Sequence, residues 1–280
     1  MPPAAPAVSA PSRRVVLDFD PARDGFHFVN RFTWTEGDLA YLSEALRPLV
    51  AVPAAGAGLM AGRLGGRRGA LAGLVAGVGL GRAGVGDGLV RAIARRWSAF
   101  GLCGGMALTA IERWPKRGRV ATFDLQPGPI RALLRRRQRM TLDASLGTFA
   151  RYWLRVRFVP GNVPHAPLAA DLVRELDRIE AALASGRPVL LGLVGDAPDP
   201  FALHQVVGFG IERSGPLDAT LQVYDPNAPG LTRTITTVPS PEAGRTSITT
   251  DLSAGPRPGG GFHISTQAGR ISHLFRIDAE

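Results

Sequence analysis

The chain has 280 residues, 45% hydrophobic and 20% charged, which is enough to bury a sizeable core and too apolar for global disorder. Its formal charge of +10 comes almost wholly from arginine, Lys116 being the only lysine, and such a bias attracts phosphates and acidic lipids without naming a partner. A single cysteine, Cys103, excludes an intramolecular disulfide and any multi-cysteine zinc cluster, and fits a reducing compartment.

Residues 1–14 read as a disordered arm, rich in Ala and Pro and without the basic start, apolar run and cleavage site of a secretory signal. One domain is expected over 15–280. Val15 to Phe19 and Phe26 to Trp34 read as short extended segments, separated by the turn-forming Asp20-Pro21 and Asp24-Gly25. Thr35 to Leu46 reads as a helix, with Thr35 as cap and Asp38 in its first turn. Residues 54–88 shift to Gly, Ala and Arg and read as a low-complexity insertion. Their longest weakly polar stretch, Gly69 to Gly81, is about half of what a membrane-spanning helix needs. No transmembrane helix and a cytoplasmic location are expected, with secretion by a non-signal route left open.

Leu89 to Trp97 has helical spacing, and Cys103 to Trp114 predicts a second helix with Met106, Ala107, Ala110, Ile111 and Trp114 on one face. Pro129 to Thr141 predicts a basic helix whose apolar face is Ile130, Leu133 and Leu134. Leu168 to Ala184 predicts a stronger one, with Leu168, Leu172, Leu176, Ile179 and Leu183 at spacings of three and four and Gly186 and Pro188 as its stop. The period then becomes extended. Strands are predicted at Val189–Val194, Gln205–Glu212, Thr220–Asp225, Thr232–Val238, His263–Thr266 and His273–Ile277, with a hairpin through Ser214 to Ala219. The class is α+β, helices first and an antiparallel sheet after.

Cys103 lies in Gly101-Leu102-Cys103-Gly104-Gly105-Met106, where a loop becomes an apolar helix. Helix-end NH groups and a nearby imidazolium favour the thiolate, which is the attacking species, and flanking glycines let a substrate pass close to sulfur. Position alone leaves open a buried structural cysteine. His204 opens a strand, and in the expected hairpin the end of the next strand brings Asp225 beside it as the acceptor that fixes the ring. Asn227, in Tyr224-Asp225-Pro226-Asn227, is the second candidate orienter.

With these pieces in order the chain resembles papain-fold cysteine peptidases, and more closely bacterial peptidase-like proteins related to the bacteriocin-processing type. The likeness rests on the Cys-Gly-Gly-Met helix start, the His-Gln-Val-Val strand and the Tyr-Asp-Pro-Asn turn, in the papain order of Cys, His, Asp/Asn. Its matching segments are Phe26–Phe32, Gly101–Trp114, Arg187–Leu193, His204–Gly210 and Tyr224–Pro229. The resemblance implies a helical lobe carrying Cys103 at a helix N-terminus, a β-sheet lobe carrying His204 and Asp225, and a substrate cleft between them. One position departs from the family: the glutamine usually found six residues before the cysteine is Trp97. The Cys103 backbone NH remains as one oxyanion donor, and Ser98 and Asn30 are candidates for a second.

The expected function is a cysteine hydrolase acting on an amide or peptide bond in a peptide or protein, without cofactor. Two alternatives stand beside it: a catalytically silent papain-fold binding module, and a related acyltransferase or deamidase acting as an effector, with membrane association through 54–88. His27, His165, His263 and His273 are scattered, so no metal site is expected. Arg131, Arg135, Arg136, Arg137 and Arg139 form a basic patch, but no aromatics interleave to stack bases and nucleic acid is not expected.

Overall fold

The computed structural model describes residues 12–40, 43–44, 101–116, 122–158, 166–195, 204–239, 246–252 and 271–279. The chain divides into two compact units, one of residues 1–30, 102–256 and 262–280 and one of residues 31–101 and 257–261. In the second, residues 36–40 and 43–44 are helical behind the expected cap. The Thr35 N–H donates to Asp38 Oδ2 at 2.9 Å and the Asp38 N–H donates to Thr35 Oγ1 at 3.3 Å, so each satisfies an orphan donor of the other. The insertion at 54–88 and the predicted helix at Leu89 to Trp97 lie outside the described residues, as do the predicted strand His263–Thr266 and His165.

The first unit is built on a seven-stranded antiparallel sheet. Its strands are β1 (Arg13–Val16), β2 (Val189–Gly195), β3 (His204–Arg213), β4 (Ala219–Tyr224), β5 (Thr232–Pro239), β6 (Thr246–Thr250) and β7 (Ile271–Ile277). They run in the order β6-β5-β4-β3-β2-β7, and β1 pairs with the second half of β3 in line with β2, which pairs with the first half. The sheet curls, bringing its two end strands β6 and β7 near one another. Strand β2 is buried along its whole length, which is why it reads as a continuous apolar run rather than an alternation.

Among the described residues of the unit there are four α-helices: α1 (Pro21–Asp24), α2 (Cys103–Arg113), α3 (Pro127–Phe158) and α4 (Ala166–Ala184). Leu172, Leu176, Ile179 and Leu183 of α4 pack on one face of the sheet with Leu191, Val206, Leu221, Ile235 and Leu274. Ala107 and Ala110 of α2 and Phe149 and Tyr152 of α3 cover the other face, over Val207, Phe209, Tyr224 and Phe275. Burying these side chains contributes about 1.5–3 kcal/mol for each large one. Gly186, at φ +78°, ends α4 in the left-handed conformation that glycine adopts without strain.

Several expectations shift. The one-turn helix α1 stands where a turn was expected at Asp20-Pro21, because the Asp20 side chain accepts the Ala22 N–H at 2.9 Å and Pro21 opens the turn. Strand β1 begins at Arg13, inside the span read as an arm. Phe26 to Trp34 is irregular, not extended. Phe26 packs against Phe28 with ring centroids 5.1 Å apart, and the Phe26 N–H donates to Tyr224 Oη at 3.0 Å instead of joining a ladder. Helix α3 runs on to Phe158, far past Thr141. Its buried stripe, Ile130, Leu134, Gln138, Thr141, Ser145, Phe149 and Tyr152, turns polar in the middle, where a hydrophobic period stops. Strand β6 carries four polar residues around the single apolar Ile248 and gave no apolar signal.

Candidate active site

Cys103 is the first residue of α2 and a free thiol, 9% exposed. The preceding Leu102 offers no side-chain cap, and no acidic residue stands in the first turn, so the positive end of the helix is left for an anion at Cys103. The Gly105 N–H is capped from α3 by Gln138 Oε1 at 2.9 Å. The N–H groups of Cys103 and Gly104 find no acceptor among the described residues.

Both glycines after Cys103 are required by packing. A Cβ at Gly105 would fall on the backbone carbonyl oxygen of Leu134 in α3, and one at Gly104 would fall on the Gln205 carboxamide and the Thr141 hydroxyl. Helix α2 is thereby seated on α3 at backbone distance. Gln138, Thr141 and Gln205 make a buried polar layer beneath it, with Gln205 Oε1 left without a partner. Sequence reasoning missed these three residues. The available signal was a polar run on the one α3 face that otherwise stays apolar.

His204 begins β3 and Asp225 directly follows β4, so the β3–β4 hairpin brings them together across 21 residues of sequence. His204 Nε2 lies 2.7 Å from Asp225 Oδ1, both side chains almost wholly buried. The Cys103 side chain also acts on the electrostatics of this ring. Burial acts to lower the imidazole's pKa. The charge and hydrogen bond of Asp225 outweigh it, with a smaller push from Cys103, and hold the ring's pKa up at about 10. At neutral pH the ring is an imidazolium.

Asn227 stands 3.3 Å from the same Nε2 through Nδ2, and its backbone N–H donates to Asp225 Oδ1 at 2.8 Å. It steadies the carboxylate and presents nitrogen, not oxygen, to the ring. Asn30 accepts the Leu102 N–H on Oδ1 at 2.5 Å and donates Nδ2 to Asn227 Oδ1 at 3.1 Å. One of the two N–H groups of its amide is thus taken up by Asn227. Ser98 and Trp97 lie outside the described residues.

Among the described residues no three His, Cys, Asp or Glu side chains gather as a metal site, and no helix is long and apolar enough to cross a membrane. The basic residues of α3 are drawn partly into ion pairs, Arg137 with Glu112 and Arg139 with Asp143 at 3.7 Å. Comparison with protein-family models, with curated proteins and with solved structures finds no match.

Proposed function

We propose that the chain is a papain-like cysteine hydrolase that cleaves an amide or peptide bond through Cys103. The single supporting observation is the buried His204–Asp225 pair at 2.7 Å, whose ring also feels the Cys103 side chain at the start of α2. In the opening step His204, paired with Asp225, holds the proton given up by the Cys103 thiol. The thiolate attacks the carbonyl carbon, and the sulfur–carbon bond forms as the carbonyl π pair moves to oxygen. That oxygen is met by the Cys103 N–H. The imidazolium then gives its proton to the leaving amine as the carbon–nitrogen bond breaks, leaving an acyl-enzyme. The now neutral ring takes a proton from water, or from an acceptor amine, which releases the acyl group.

The test is alkylation of Cys103 by iodoacetamide followed by intact mass. Rapid modification of wild type at about pH 6, well below the free-thiol value of about 8.5, and its loss in His204→Ala support the hydrolase. Superimposed profiles typical of a free thiol would end it. Water and amine acceptors are separated by whether an added amine appears in the released product.

A catalytically silent papain-fold binding module is the second reading. It is favoured by the engagement of the Asn30 amide with Asn227, which draws that side chain toward a structural role. Under that reading Cys103→Ala retains partner binding in full.

A further inference from the structure

Asn30 lies 72 residues before the nucleophile's helix and 197 before the turn that orients His204, yet it bonds to both. We propose that Asn30 is a positioning residue that locks Cys103 in register with the His204–Asp225 pair, an assignment that rests on the hydrolase reading above. Three hydrogen bonds converge on this one residue, itself 9% exposed. Its Oδ1 accepts the N–H of Leu102 at 2.5 Å, immediately before Cys103. Its Nδ2 donates to Asn227 Oδ1 at 3.1 Å, and its backbone N–H donates to Pro226 O at 3.0 Å, both in the turn that follows Asp225.

The strap also has a direction. The Leu102 N–H can only donate, so the Asn30 carboxamide must turn oxygen toward it and nitrogen toward Asn227. Asn227 must then answer with oxygen, which turns its own nitrogen toward the imidazole at 3.3 Å. A nitrogen donor beside a protonated ring cannot accept its proton. Asp225 therefore stays the side-chain acceptor at Nε2 among the described residues, and the ring keeps one orientation. Backbone polarity at residue 102 thus propagates through two amides to the group that faces the base. A side chain that merely filled space would fix neither the register nor the direction.

The experiment follows Cys103 alkylation by iodoacetamide from about pH 5 to about pH 9 in wild type, Asn30→Ala, Asn227→Ala, the double variant and His204→Ala, with thermal midpoints alongside. At about pH 6 the rate in Asn30→Ala is expected to fall roughly tenfold or more, while at about pH 9, where any thiol ionises, it stays near wild type. Asn227→Ala cuts the same strap from a half-buried turn and shifts the profile in the same direction, which keeps the test open should Asn30→Ala fail to fold. The double variant should be no worse than the poorer single one, because both cut one connection. Wild-type profiles in both single variants, or effects that multiply, overturn the strap while leaving the hydrolase standing. Should wild type itself react as a free thiol, indistinguishable from His204→Ala, the hydrolase reading fails and the strap with it.

Discussion

Two buried histidines flank β2, one on each neighbouring strand: Leu193 is paired with His204 of β3 and Val194 with His273 of β7. Their burial is alike, at 4% and 1% exposed, and their electrostatics are opposite. His204 has a carboxylate at 2.7 Å and is held charged. His273 lies against the Tyr152 ring at 3.9 Å, with its Nε2 unpartnered. Burial dominates there. Asp171 pulls the pKa up, but Arg151 and Arg155 oppose it, and the ring is pushed down to about 4. Desolvation penalises both rings, and only a carboxylate in direct contact reverses it. The contrast separates a histidine paired with a carboxylate from one packed into a core.

The largest expected effect is at the sulfur. Cys103→Ala should form no alkyl or acyl adduct and show no turnover, and unchanged turnover would remove the whole proposal. Next comes Asp225→Asn, which takes away what distinguishes His204 from His273. Turnover at neutral pH should fall about a hundredfold or more. The sign of its linkage is fixed by the raised pKa: the ion pair stabilises the fold fully below the unfolded imidazole value near 6.5, and that contribution is lost as pH rises through about 10. Urea unfolding across that window should show the decline in wild type and not in the variant.

Smaller is the cost of disturbing the seat of the nucleophile. Gly105→Ala meets the Leu134 backbone and should cost about 3 kcal/mol, whereas Gly104→Ala meets side chains that can rotate and should cost less. Equal unfolding midpoints for the two would contradict the backbone contact between α2 and α3. The smallest effect belongs to His273. Its lowered pKa means that the unfolded state takes up protons first, so wild type should lose about 2 kcal/mol between pH 7 and pH 5 from this group. His273→Leu should flatten that acid dependence and leave Cys103 alkylation unchanged.

Much of the first unit was legible in the sequence where burial is one-sided or complete. The stripe Leu172, Leu176, Ile179 and Leu183 specified α4 and its stop at Gly186, and the apolar run of β2 and the hairpin β3–β4 followed from period and turn chemistry. Because a hairpin sets the end of one strand beside the start of the other, His204 and Asp225 could be paired from spacing alone. What stayed hidden is buried polarity. Gln138, Thr141 and Ser145 break the apolar period of α3 and so concealed half its length, although all three are buried, Gln138 and Thr141 against the first turn of α2.

By itself, then, the sequence determined the α+β class, the order of most elements, the position of Cys103 at a helix start and the candidate pairing of base and acid. These follow from local rules, periodicity, caps and turns, whose range is a few residues. Only the tertiary structure decided that His204 is held charged while His273 is held neutral, that Asn30 bridges residues 102 and 227, and that both glycines are close-approach positions. Each of these depends on which groups meet across long separations in the chain, in a dry interior where one missing or added partner outweighs every local preference.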